Sequence, residues 1–266
     1  MQDVLQIFSL KDVLLCALIC CTRMLAFCSV SVFFSSQFLT GTARRAVIVA
    51  LSLITVPLLY PTGMDIVKQD VLLCLGYILK EFLLGVMLGL FSNVIFYIAQ
   101  GIGFIIDTQR GASMASMFDP LSNSQTSPLG DFLMKFILVT AFMGGAFHKI
   151  MEVVYLSYLK LPVLDALPKI ESWLVNFSLT MLGDNLLTSI VLLGGPVIFI
   201  LFLSEFGLGM VTRFAPQLNV FFLAMPIKSA LAMFFFILYL TYLSRYFVNH
   251  FEANNLAKTL LDLLSR

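Results

Sequence analysis

The stretch Phe82-Leu-Leu-Gly-Val-Met-Leu-Gly-Leu-Phe-Ser-Asn-Val-Ile-Phe-Tyr-Ile-Ala-Gln-Gly-Ile-Gly-Phe-Ile-Ile106 carries no charge over 25 residues. As an α-helix it would be about 37 Å long, more than the ~30 Å of a bilayer's hydrocarbon core. Its apolar residues run continuously and do not alternate, so a membrane β-barrel strand is excluded. In an apolar medium the backbone must satisfy its own hydrogen bonds, which a helix does within one segment. The fold class that follows is all-α, built from integral membrane-type helical hairpins.

Working outward, further charge-free stretches occupy residues 24–43, 46–64, 136–147, 185–204 and 229–244. Arg23 interrupts a longer apolar run that starts at Val13. Pro57 and Pro61 are expected to end a helix near Tyr60, and Gly194-Gly195-Pro196 to interrupt another. Segments this short and broken suit a transporter with discontinuous helices, or hairpins that pack on other subunits. Polar connectors fall at residues 62–70, 107–131 and 161–171, and no internal repeat stands out. Residues 250–266 carry Leu256, Leu260, Leu261 and Leu264 at helical spacing. They read as an amphipathic tail that lies on a membrane or a partner, or docks on its own chain. The whole of 1–266 is read as one domain.

Composition agrees. Of 266 residues, 60% are apolar and only 12% charged, with a mean hydropathy of +0.98. A soluble domain has about 25% charged residues. A soluble enzyme and a disordered chain are both excluded as defaults. Sixteen basic residues balance fifteen acidic ones, so no basic excess points to nucleic acid. Cys16, Cys20, Cys21, Cys28 and Cys74 form no CxxC pair and lie far from His148 and His250. They read as small buried apolar side chains, with neither disulfide nor metal site expected. The N-terminus lacks the features of a cleaved signal peptide. Glu152 follows His148 by four residues, far short of a metal site. No catalytic set, phosphate-binding loop or cofactor motif is present, so no enzyme activity and no cofactor are expected.

Four places stand out. The insertion begins Asp107-Thr-Gln-Arg-Gly-Ala-Ser-Met-Ala-Ser-Met-Phe118. Asp107 and Arg110, three apart, are placed to pair on one helical face. Gly111 and Ser113 permit close backbone approach, and Met114, Met117 and Phe118 are apolar groups that can seal a narrow conduit and repack. The alternative is a solvent loop folded back on the protein. Lys80-Glu81 reads either as a subunit contact or conduit lining, or as a helix end at the interface, and the helix end is favoured. Gly85 and Gly89 form a GxxxG, which supports tight helix packing. The segment from Glu205 to Lys228 holds Arg213, Pro216, Gln217, Asn219 and Pro226. Its prolines are expected to break regular helix, with polar groups beside the breaks.

Two of these segments carry a resemblance. GIGFIIDTQRGASMASMFDP (residues 101–120) with QTSPLG (125–130) resembles the central motif of the SctT family, whose members include YscT, SpaR and the flagellar FliR. RFAPQLNVFFLAMPIKS (residues 213–229) resembles its second motif, and Lys80-Glu81 with Gly85 and Gly89 also fits. The ending Met225-Pro-Ile-Lys228-Ser is closer to the injectisome branch than to the flagellar one. The resemblance spans essentially the whole chain. It implies an export-gate subunit of a bacterial type III secretion system, assembled with SctR-like and SctS-like subunits and near SctU-like and SctV-like ones. Unfolded secreted proteins would be the cargo. The complex would sit in the bacterial inner membrane, in contact with membrane lipid and displaced toward the periplasm. Asp107, Arg110, Gly111, Ser113, Met114, Met117 and Phe118 would fall in the loop that plugs the closed conduit. Lys80, Glu81, Gly85, Gly89, Glu205, Arg213, Pro216, Gln217, Asn219, Pro226 and Lys228 would serve subunit packing. The residues alone leave a second reading, a stand-alone ion-coupled transporter using Glu81, Asp107, Arg110 and Glu205.

Overall fold

The computed structural model describes residues 10–35, 38–39, 41–56, 71–112, 127–163, 186–214 and 220–252. Among them are seven α-helices, one short 3-10 turn (Val32–Phe34) and no strand. The helices are α1 (Leu10–Val30), α2 (Gly41–Leu53), α3 (Val71–Gln109), α4 (Pro128–Met143), α5 (Ala146–Lys160), α6 (Leu186–Phe214) and α7 (Val220–Glu252). The chain forms two compact units. One holds α1, α2, α3 up to Asn93, and α5 from Phe147; the other holds the rest of α3 with α4, α6 and α7.

Three helical segments are long and apolar enough to cross a membrane: Cys74–Gln109, Leu186–Phe214 and Leu223–Asn249. The chain is a membrane protein by this measure. Each helix extends past its charge-free stretch, because its charged residues are paired or sit near its ends. Pro196 and Pro226 do not end their helices but lie inside α6 and α7. That corrects the expectation of broken helices. A proline in a helix interior costs about 3 kcal/mol, whereas unwinding a turn in apolar surroundings frees several backbone groups at several kcal/mol each. The helix therefore tolerates the ring.

Helix ends have local causes. Ser127 caps α4 by accepting a hydrogen bond from the Gly130 N–H at 3.0 Å, with Pro128 at the first helical position and Asp131 in the first turn. Between α4 and α5, Gly145 takes a φ of 73°, a left-handed conformation that suits glycine. Where α1 gives way to the 3-10 turn, the fully buried Asn93 amide from α3 accepts from the Val32 N–H at 2.8 Å and donates to the Val30 carbonyl at 2.9 Å. One side chain thus satisfies the two backbone groups that the break frees.

The first unit buries Ile19, Met24, Phe27, Phe34 and Tyr158. Phe33 and Phe34 also meet Phe147 edge-on. Cys20, Cys21, Cys28 and Cys74 occupy buried positions. In the second unit α7 packs along α6 and α4, over a core that includes Ile102, Ile106, Leu133, Ile137, Leu193, Leu243 and Phe247. The outer faces of α6 and α7 remain apolar and open: Phe199, Phe202, Phe206, Phe234, Ile237, Leu238 and Tyr242 are all exposed. Only 11% of the membrane-length window of α7 is buried within the chain. Such a surface requires lipid or a partner.

Candidate functional site

In the first unit three buried charges meet. Arg23 of α1 and Glu81 of α3 are both 0% exposed. The guanidinium grips the carboxylate with two bonds, Nε to Oε2 at 2.7 Å and Nη2 to Oε1 at 2.9 Å. Two further donors go to Ser157 Oγ at 3.1 Å and the Leu161 carbonyl at 2.9 Å. Its Cζ lies 4.3 Å from the centre of the Tyr158 ring. The Tyr158 hydroxyl in turn donates to the Cys20 carbonyl at 3.0 Å. Lys80 sits 3.5 Å from Glu81 Oε1 and donates to the carbonyls of Pro162 at 3.1 Å and Val163 at 2.8 Å.

Both cations face the Glu81 carboxylate. The C-terminal end of α5 adds acceptors for them. The carbonyls of Leu161, Pro162 and Val163 follow directly on that helix, where its dipole is negative. Lys80-Glu81 is therefore not a helix end at an interface, since α3 continues for 28 residues beyond Glu81. Pairing removes the reason for a helix to stop there. Arg23, Ser157 and Tyr158 were missed as site residues. The available signal was Arg23 itself, a lone charge within an apolar run, which calls for a buried partner.

The second unit builds its polar site on Asp107, in the last turn of α3 and only 4% exposed. Arg110 reaches Asp107 Oδ1 through Nε at 2.8 Å and Nη2 at 2.7 Å, the i,i+3 pair expected from spacing. The other oxygen, Oδ2, accepts from the Ser127 hydroxyl at 2.6 Å and from the Leu129 N–H at 2.9 Å. Arg110 Nη1 extends to Ser229 of α7 at 3.3 Å. One carboxylate thus accepts four donors from both sides of the polar insertion. Gly111, next in the chain, has a φ of 85°, and a side chain there would be strained. Ser113, Met114, Met117 and Phe118 lie outside the described residues.

Glycines set the distances between helices. A Cβ on Gly103 would overlap the backbone N and Cα of Gly130, and one on Gly101 would strike the Ile190 side chain. Here α3 and α4 touch backbone to backbone. In the first unit Gly85 and Gly89 receive α1: a Cβ on Gly85 would overlap the Arg23 carbonyl, and one on Gly89 would sit 3.0 Å from Val30 Cβ. The GxxxG packs on a helix of the same chain, beside the Arg23–Glu81 pair.

At the α6–α7 hairpin Glu205 pairs with Lys228 at 2.9 Å. Glu205 is 61% exposed and Lys228 12%, which screens the pair and limits its worth to about 1 kcal/mol or less. Arg213 and Pro226 are exposed, while Pro216, Gln217 and Asn219 lie outside the described residues. The His148 and Glu152 side chains are exposed, and among the described residues no group of three or more His, Cys, Asp or Glu could hold a metal.

A sequence model of "Bacterial export proteins, family 1" matches residues 14–254. The chain is 37% identical over 206 residues to "Yop proteins translocation protein T" of Yersinia pestis, covering 77% of this chain and 78% of that one. It is 32% identical over 208 residues to "Surface presentation of antigens protein SpaR" of Salmonella typhimurium, 78% and 76% of the two chains. "Flagellar biosynthetic protein FliR" of Bacillus subtilis is 29% identical over 172 residues, 65% of each.

Proposed function

Because the chain belongs to family 1 of the bacterial export proteins, we propose that it is a core export-gate subunit of a type III secretion system. It helps form the conduit for unfolded protein substrates and the seal of that conduit's closed state. The observation that carries this reading is the similarity, along 77% of the chain, to a protein named for translocating Yop proteins. The geometry supports it in two ways. The α6–α7 hairpin leaves an apolar face open, as a subunit does that is completed by others. The polar insertion leaves and rejoins the helices at one fixed point, Asp107.

In this reading the whole chain acts as one gate domain and as a structural component, not an enzyme. SctR-like and SctS-like subunits cover the hairpin faces, SctU-like and SctV-like subunits lie at the cytoplasmic side, and the complex resides in the inner membrane projecting toward the periplasm. Arg213 and the exposed Glu205 and Pro226 serve subunit packing. The transporter reading draws no support from the charges it needs. Glu81, Asp107 and Glu205 are each matched by a cation, Arg23, Arg110 and Lys228 respectively.

Co-expression with SctR-like and SctS-like subunits tests the assignment. The chain should enter one large detergent-stable complex with them and be unstable alone; a stable solitary particle that ignores those subunits overturns it. Within the complex, Arg213→Ala should lower recovery of the assembly, and normal recovery would remove Arg213 from the interface. Deleting residues 111–118 should make the assembled gate conduct small ions. Unchanged conductance of membranes carrying that complex would refute the sealing role of the insertion.

A further inference from the structure

We infer that the start of α2 binds the phosphate headgroup of an anionic phospholipid through Arg44 and Arg45, with the acyl chains lying along the helix's apolar side. α2 carries both arginines and no acidic residue. Among the described residues neither arginine forms an ion pair. Arg44 is half-buried, and its Nε is covered yet meets no hydrogen-bond acceptor. Its guanidinium thus keeps its charge for an anion from outside the chain, and phosphate is the anion whose geometry it matches. The first turn adds N–H groups with no partner inside the helix, at the positive end of its dipole.

The register of α1 and α2 brings a second unsatisfied group to the same end. Cys21 Sγ donates to the Ser52 carbonyl and Thr55 Oγ1 to the Cys20 carbonyl, each at 3.4 Å. Further along, Arg44 is close enough to Cys28 for its charge to act on that thiol. The two helices therefore run antiparallel, and Ser31, just past α1, comes level with the first turn of α2. The Ser31 residue is 2% exposed and its hydroxyl has no partner. Among the described residues, Ser31 Oγ and Arg44 Nε are the two buried side-chain polar atoms left unsatisfied. Such atoms are uncommon in folded proteins, and both lie where α2 begins. Shape selects a lipid over free phosphate. Thirteen helical residues span about 20 Å, half of a bilayer that measures ~40–45 Å with its headgroup layers. Only Ser52 of α2 is buried within the chain. Val47, Val49, Leu53 and, just beyond the helix, Ile54 are exposed. Charge at one end and apolar surface along the rest reproduce the division of a lipid into headgroup and chains.

The test is native mass spectrometry of the full chain, extracted in complex with its partner subunits and titrated with phosphatidylglycerol, phosphatidylcholine or inorganic phosphate. Wild type is compared with Arg44→Gln plus Arg45→Gln and with Arg44→Lys plus Arg45→Lys, so lipid held by other subunits cancels. The glutamine pair should weaken phosphatidylglycerol binding about tenfold or more, the effect of two basic residues at a lipid surface. Phosphatidylcholine binding should not change, and the lysine pair should keep most of the preference for phosphatidylglycerol. Equal phosphatidylglycerol binding by the glutamine pair and wild type overturns the site. Equal loss of both lipids overturns recognition of the charge. Inorganic phosphate that displaces phosphatidylglycerol at equal concentration overturns the lipid as occupant. Should the glutamine pair fail to assemble, Arg45→Gln at an exposed position decides: a severalfold loss of phosphatidylglycerol alone supports the site, and unchanged binding overturns it.

Discussion

Glu81→Ala is expected to be the most damaging single change in the first unit, reducing recovery of folded chain from membranes close to nothing. It takes from the buried Arg23 guanidinium and Lys80 ammonium the carboxylate that both of them face. Breaking a buried ion pair by removing one partner costs about 3–5 kcal/mol, because the other charge is stranded. That is a large share of the ~5–15 kcal/mol by which proteins are stable. Arg23→Ala should be harmful but less so, since Lys80 remains 3.5 Å from the orphaned carboxylate. The double change Arg23→Met with Glu81→Met should be milder than either, because it removes both charges and leaves Lys80 on the carbonyls of Pro162 and Val163. Extraction yield and thermal melting of the detergent-solubilised complex give this order directly. Equal melting of Glu81→Ala and wild type would show that the cluster contributes nothing to holding α1, α3 and α5 together. A double variant worse than both singles would show that the charges are needed for more than each other.

Gly103→Ala is the second large effect. The added carbon would fall on the backbone of Gly130, which cannot rotate aside as a side chain can. The start of α4 would have to move, and with it the Ser127 cap and the Leu129 N–H that binds Asp107. Overpacking of this kind costs about 1–3 kcal/mol, and more where backbone meets backbone. The expected outcome is a lower melting temperature of the complex together with a rise in leak. Gly76→Ala is the internal control. It lies in α3, in open space with nothing within 4 Å of a new Cβ. There alanine should be neutral or stabilise by up to about 1 kcal/mol, from helix propensity alone. If Gly103→Ala and Gly76→Ala behave alike, the close approach of α3 and α4 is not a constraint on the protein.

Much of this was readable from residues near one another in the chain. Continuous apolar runs of membrane length predicted helices, and all the described secondary structure is helical. The Asp107–Arg110 pair was legible because i,i+3 positions share a helical face whatever the rest of the protein does. Prolines were the weakest local guide. Read alone, Pro196 and Pro226 break helices, yet each is carried inside one. What a proline does depends on what unwinding would expose, and that is a property of its surroundings.

The sequence by itself determined the chemistry of the parts: an all-α chain, too apolar for water, with a few charges that had to find partners. Which partner each found was decided only in three dimensions. Arg23 meets Glu81 across 58 residues and Leu161 across 138, and Asp107 meets Leu129 across 22. Desolvation makes an unpaired charge costly wherever it lies, so pairing was foreseeable. The choice of mate follows from which helix faces pack, set by glycines such as Gly85 and Gly103 where backbones can touch.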